Sequence, residues 1–193
     1  MSFQSGTQSE LLYSLNAPVT KNTYTTEAAF TGVAGTNTVC TIDANTFRND
    51  NPTPIGRPLW LTAMGTIGNT ASATFAINLG LDTTSGTKAN AVAVMAATAP
   101  PVAAGAPWNF DAWLVCTAFA TSTMTLQVNG RFRMDAVASG AAASAAALET
   151  GFAATVTGLN PRADLYVELF GTWSASNAAN TTTVHQLMLY GMA

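Results

Sequence analysis

The chain has 193 residues, 48% of them hydrophobic, yet only 9% are Asp, Glu, Lys or Arg and the formal net charge is −3. This length fills one β-sandwich core without a second domain, and seven scattered basic residues form no footprint for nucleic acid. No run of about 18 apolar residues offers a membrane span. The opening Met1-Ser2-Phe3-Gln4-Ser5-Gly6 lacks the basic start and apolar run of a secretion signal, so synthesis in a cytoplasm is expected.

In chain order, residues 1–35 place Leu11, Leu12, Tyr13 and Leu15 in a polar context, which reads as an arm or an edge strand docking on a neighbour. From residue 36 a period-2 rhythm takes over, as a strand with one buried face requires. It begins weakly at 36–42. It is then clear in Leu59-Leu61-Ala63-Gly65-Ile67, Phe75-Ile77-Leu79-Leu81 and Val92-Val94-Ala96, all at alternate positions. Trp108-Phe110-Ala112-Leu114-Cys116 and Met124-Leu126-Val128-Gly130-Phe132-Met134 continue it. Leu165-Val167-Leu169 and Thr183-His185-Leu187-Leu189 complete the series. Breakers suited to loops lie between them: Asn51-Pro52-Thr53-Pro54, Gly68-Asn69, Thr84-Ser85-Gly86, Pro100-Pro101, Ala120-Thr121-Ser122 and Gly158-Leu159-Asn160-Pro161. Eight strands without an amphipathic helix predict an all-β double-sheet sandwich or barrel over residues 36–193. The stretch Ala136 to Leu148 is nearly all Ala, Ser and Gly. A short helix there is weakened by Ser139-Gly140, and the stretch reads as an insertion whose uncharged surface, around Ala142 and Leu148, is a candidate packing surface, with a floppy loop as the alternative.

Catalytic constellations are sparse. The single histidine, His185, falls in a strand with no local nucleophile and orienting carboxylate, so a packed or surface role is expected. Asp164 and Glu168 share a strand face but stand roughly 13 Å apart, too far for a carboxylate pair of the glycosidase kind. They are expected to face solvent or to pair with Arg131, Arg133 or Arg162. Asp82 before Thr83-Thr84-Ser85-Gly86 reads as turn chemistry rather than a calcium loop. Cys40 and Cys116 show no metal spacing and read as buried free thiols, with a disulfide as the alternative. No enzyme activity, cofactor or metal is expected.

The surface carries Thr, Ser, Asn and Ala where charge is usual, and so repels neighbours weakly. Such a surface suits contact with other copies or a larger assembly, the alternative being a monomer with a Thr/Ala-rich exterior. Trp108 shares its face with Phe110 and Leu114 and reads as core. On the opposite face, Trp113, Val115 and Phe119 need another cover, most simply a subunit interface to which Leu11, Leu12 and Tyr13 would add.

The succession Arg57-Pro58-Leu59-Trp60-Leu61-Thr62-Ala63-Met64-Gly65-Thr66-Ile67, Thr74-Phe75-Ala76-Ile77-Asn78-Leu79-Gly80, Ala106-Pro107-Trp108-Asn109-Phe110, Met124-Thr125-Leu126-Gln127-Val128-Asn129-Gly130-Arg131-Phe132 and Leu165-Tyr166-Val167-Glu168-Leu169-Phe170-Gly171-Thr172-Trp173 resembles the small jelly-roll structural proteins of tailed bacteriophages. The resemblance covers roughly residues 36 to 190. It implies an eight-stranded jelly-roll sandwich of two four-stranded sheets, commonly a homotrimer, and a place in the virion; it identifies no catalytic residue. The expected role is capsid decoration, a cement protein stabilising the head through many weak contacts to the major capsid protein or other virion proteins. The alternative is a tail- or fibre-associated receptor-binding protein, with aromatics such as Trp173 on cell-surface sugar. A weaker third reading is a bacterial carbohydrate-binding module or enzyme.

Overall fold

A computed structural model describes residues 9–15, 17–22, 24–29, 39–47, 58–69, 73–100, 105–135 and 147–192. Ala142, Ser139-Gly140, Asn51-Pro52-Thr53-Pro54 and the start of the 36–42 run lie outside the described residues. Twelve strands are present among them: β1 (Ser9–Ser14), β2 (Val19–Asn22), β3 (Ala28–Ala29), β4 (Cys40–Ile42), β5 (Leu59–Gly68), β6 (Phe75–Asp82), β7 (Ala91–Thr98), β8 (Ala106–Phe119), β9 (Met124–Met134), β10 (Leu148–Leu159), β11 (Leu165–Trp173) and β12 (Thr181–Met192). The all-β sandwich is as expected.

A seven-stranded sheet runs β1-β12-β5-β8-β9-β10, with β2 also on β12. A five-stranded sheet runs β3-β11-β6-β7, with β4 also on β11. Every pairing is antiparallel. Late strands nest against early ones, β12 beside β5 and β11 beside β6, as in a jelly roll. The eight expected strands divide four to a sheet, and the sheets reach seven and five because β1, β2 and β10 join the large one and β3 the small one. Contacts of β7 with β10 and of β1 with β4 close the two sides.

Alternation built the core. Leu59, Leu61 and Ile67 of β5, Trp108, Phe110 and Leu114 of β8, and Leu126, Val128 and Phe132 of β9 point inward. They meet Phe75, Ile77 and Leu79 of β6 and Val167 and Leu169 of β11, all essentially buried. Removing each such side chain from water contributes about 1.5–3 kcal/mol, so the strands are held by the sheet opposite as much as by their ladders. Cys40 on the small sheet and Cys116 on the large one are both free and buried.

Four strands fall outside the eight expected. β10 escapes the apolar rhythm because it is an edge strand of Thr, Ala and Gly, inserting mainly Phe152, Val156 and Leu159. Leu148 opens that strand opposite Met134 and packs on the core rather than offering a free surface. β1, β2 and β3 come from the N-terminal segment, which pairs with this chain's own β12 and β11. Leu12 and Tyr13 pack on the core, and the Leu15 amide donates to the Leu187 carbonyl at 2.9 Å.

Three bulges overturn strict alternation. On β7 the register shifts between Ala93 and Met95, so Met95 is buried after Val94 while Ala96 is exposed rather than sharing the face of Val92 and Val94. On β12 the register shifts between Val184 and Gln186, leaving His185 as the extra residue. Thr182 and Val184 are therefore buried before the bulge and Leu187 and Leu189 after it, while His185 is exposed rather than sharing their face. On β8 the shift between Cys116 and Ala118 places Phe119 opposite Met124. Phe119 thus leaves the Trp113 face and packs against the core.

The small sheet is covered on its outer face as well. Glu168 is buried and accepts bonds from the Ser85 hydroxyl at 3.1 Å and the Gly86 amide at 2.7 Å. Asp82 accepts from the amides of Thr83 and Ala89, which is the turn chemistry expected of it. Glu27 pairs with Lys88 and accepts a bond from Asn78. Neither Asp164 nor Glu168 meets the arginines proposed for them: Asp164 caps the Ala44 amide at 2.8 Å, and Arg131 and Arg133 pair with Asp111 and Asp135. Asp164 is exposed, as the solvent-facing expectation had it; Glu168 is not, because the loop after β6 folds back over β11 and brings the Ser85 and Gly86 donors to its carboxylate.

Candidate functional site

The outer face of the large sheet gathers what the core leaves out. Leu11, Met64 and Trp113 are the exposed large hydrophobic side chains among the described residues, at 52%, 42% and 41% exposure, and all three project from this face. Register fixes their neighbours. Leu11 lies opposite Tyr190, Tyr190 opposite Trp60, Trp60 opposite Trp113, and Trp113 opposite Asn129, a single row across five strands.

Within that row the rings stack. Tyr190 and Trp60 have centroids 5.3 Å apart with planes 23° apart; Trp60 and Trp113 are 6.1 Å apart at 17°. The spacing follows from the inter-strand distance of about 4.8 Å, which puts directly opposed rings within reach of one another. The Tyr190 hydroxyl donates to the Met188 sulfur at 3.0 Å, fixing that end of the stack.

One pleat along β8 from Trp113, Asp111 faces Arg131 across the β8–β9 ladder, with the Arg131 Nε 3.8 Å from the carboxylate. Trp60, Asp111, Trp113, Asn129, Gly130 and Arg131 line an open cavity of about 420 Å³. Its wall is an indole and its rim a carboxylate, an amide and a guanidinium, which supply acceptors and donors. Beneath it, Phe152 of β10 crosses Gly130 to stack on Phe110, with centroids 5.7 Å apart.

Of the residues singled out from sequence, Trp113 stands at the centre of this face. Val115 lies beside it, half-buried opposite Gln127, and Leu11 lies at the far end of the row. Phe119 lines a second cavity of about 290 Å³ with Asn45, Ala120, Thr121 and Arg162, at the end of the sandwich. Trp173 is buried, its ring 4.6 Å from that of Phe75, and so reaches no sugar at the surface. His185 reaches the Thr66 hydroxyl at 3.4 Å. Among the described residues no three His, Cys, Asp or Glu side chains group to hold a metal ion. No helix among them is long and apolar enough to cross a membrane.

Sequence reasoning missed Trp60, Tyr190, Asp111, Asn129 and Arg131 as a group. The available signal was aromatic residues on the solvent side of three alternating strands, but their adjacency depends on strand order.

No known family matches the sequence, and no curated protein matches it. A solved structure, the CBM2 module of the evolved Dit of Lactobacillus casei BL23 phage J-1, is similar with a TM-score of 0.39 and 14% identity, over 96% of this chain and 97% of that one. A likeness of that size carries no argument about what this chain binds.

Proposed function

We propose that the chain is a non-enzymatic virion structural protein of a tailed bacteriophage and that the outer face of its large sheet binds carbohydrate on the host surface. The carrying observation is the Tyr190-Trp60-Trp113 stack ending at a cavity rimmed by Asp111, Asn129 and Arg131. A pyranose presents a C–H face that packs on an aromatic ring and a hydroxyl edge that needs donors and acceptors. An amphipathic ring beside charged and amide groups meets both demands. The virion assignment is supported by the resemblance of the strand succession and by a surface with little charge.

Capsid decoration remains the second reading, favoured by the contiguity of Leu11, Tyr190, Trp60 and Trp113, which an interface with the major capsid protein or another copy would also cover. In that reading the protein acts as a homotrimer. Titration of the purified chain with host cell-wall polysaccharide, alongside binding to empty heads, separates the two. Saturable polysaccharide binding is expected, with Trp113→Ala weakening it by about tenfold or more. Binding to empty heads without any polysaccharide binding would overturn the proposal in favour of decoration.

A further inference from the structure

We infer that this face recognises a single neutral pyranose, a chain end or a branch, rather than a run of consecutive sugars; the inference rests on the carbohydrate-binding reading above. Holding consecutive sugars requires several rings that each turn a face to solvent. Here Trp60 has Tyr190 against one side at 5.3 Å and Trp113 against the other at 6.1 Å, both nearly parallel to it, so its two faces are already used. Trp113 ends the stack, because the next residue in the row is Asn129, which has no ring. The far side of Tyr190 is turned to Leu11, opposite it in register, so the aromatic face left is that of Trp113, and the cavity opens there.

The polar groups have the same footprint. Trp113 and Asn129 face each other in register, as do Asp111 and Arg131 one pleat away, so four side chains stand at the corners of a rectangle. Its sides are about 4.8 Å across the strands and roughly 7 Å along them, the dimensions of one sugar ring. The cavity, about 420 Å³, sits toward the small end of the usual range for ligand sites.

Charge selects the class of sugar. Asp111 and Arg131 cancel, and the neighbouring Arg133 is bonded to Asp135 at 2.7 Å, so no net positive field awaits a uronic acid or a phosphorylated polymer. The Arg131 Nε approaches Asp111 only to 3.8 Å, too long for a hydrogen bond. The guanidinium and carboxylate therefore keep donors and acceptors for adjacent hydroxyls of one ring.

The test is calorimetric titration of the full chain with methyl glycosides of glucose, galactose, mannose and N-acetylglucosamine, their oligomers up to six units, and methyl glucuronide. For the preferred sugar, affinity per molecule is expected to change less than about threefold from one unit to six, since added units find no second ring. It is also expected to change less than about twofold between low and high salt. Trp113→Ala and Arg131→Ala should each weaken binding by about tenfold, and Trp113→Phe should retain most of it. Met64→Ala, outside the rectangle, should leave it unchanged. An affinity that climbs tenfold or more with chain length, or a salt-sensitive preference for the glucuronide, would overturn the inference while leaving carbohydrate binding intact. Binding to host cell-wall polysaccharide but to none of these sugars would overturn the inference alone, and binding to neither would remove both.

Discussion

Replacing Gly130 by Ala tests the support beneath the site most directly. Gly130 pairs with Ala112 on β8 and Phe152 on β10, so the inner row narrows to let the Phe152 ring cross it. A Cβ at Gly130 would stand 2.2 Å from the Asp111 carbonyl oxygen and 2.5 and 2.9 Å from Phe152 Cζ and Cε1. The ring can be expelled, but the carbonyl belongs to the β8–β9 ladder and cannot move without opening it. Overpacking of this kind costs about 1–3 kcal/mol, and loss of the Phe152–Phe110 stack adds about 0.5–1.5 kcal/mol. A total near 3 kcal/mol corresponds to a fall in Tm of about 6–12 °C for a chain of this size. Thermal unfolding of Gly130→Ala, Phe152→Ala and the double variant measures it. The double variant should cost about 1 kcal/mol less than the sum of the singles, because only the ring clash is relieved. A Gly130→Ala protein within about 0.5 kcal/mol of the parent would refute the argument, since substitutions without a steric or packing consequence fall in that range.

Glu168→Ala should free the loop that folds over β11, costing about 1.5–3 kcal/mol for the lost charge-assisted bonds from Ser85 and Gly86. Faster proteolytic cutting near residues 83–89 would report it, and an unchanged cutting rate would contradict it. Burial pushes the Tyr24 phenol from 10.0 up to about 12, against the opposing effect of its bond to Thr182, and the buried Cys40 thiol is raised as well. Such groups contribute full stability below pH 9, where folded and unfolded chains are both protonated. Above it the unfolded chain releases protons that the folded chain retains, so urea midpoints should fall from pH 9 toward pH 12, with Tyr24→Phe flattening the upper part of the decline. A midpoint independent of pH would contradict this. In the native state both thiols should resist alkylation at pH 8 and react after denaturation, because burial raises Cys40 and Cys116 alike; prompt labelling of the folded protein would show that one of them is accessible.

The linear sequence determined the class of architecture and most of its core. A two-residue rhythm can be satisfied only by a strand with one face in an apolar interior, so β5 to β9, β11 and β12 were legible, as was Trp108 as a core residue. Asp82 as a turn residue and the free thiols were legible for equally local reasons, side-chain chemistry and spacing. Of the candidate site, Trp113 was legible, with Val115 beside it and Leu11 at the far end of its row, but not the residues between. Strand order brings Tyr190, Trp60, Trp113 and Asn129 into one row, and order is set by which sheets and edges pair, which no local pattern encodes. The bulges at β8 and β12 changed which face Phe119 and His185 occupy, because one extra residue inverts every side chain beyond it. Burial of Glu168 and Trp173 was likewise decided in three dimensions. Whether a residue on an alternating strand meets water or protein depends on what the rest of the chain lays over it.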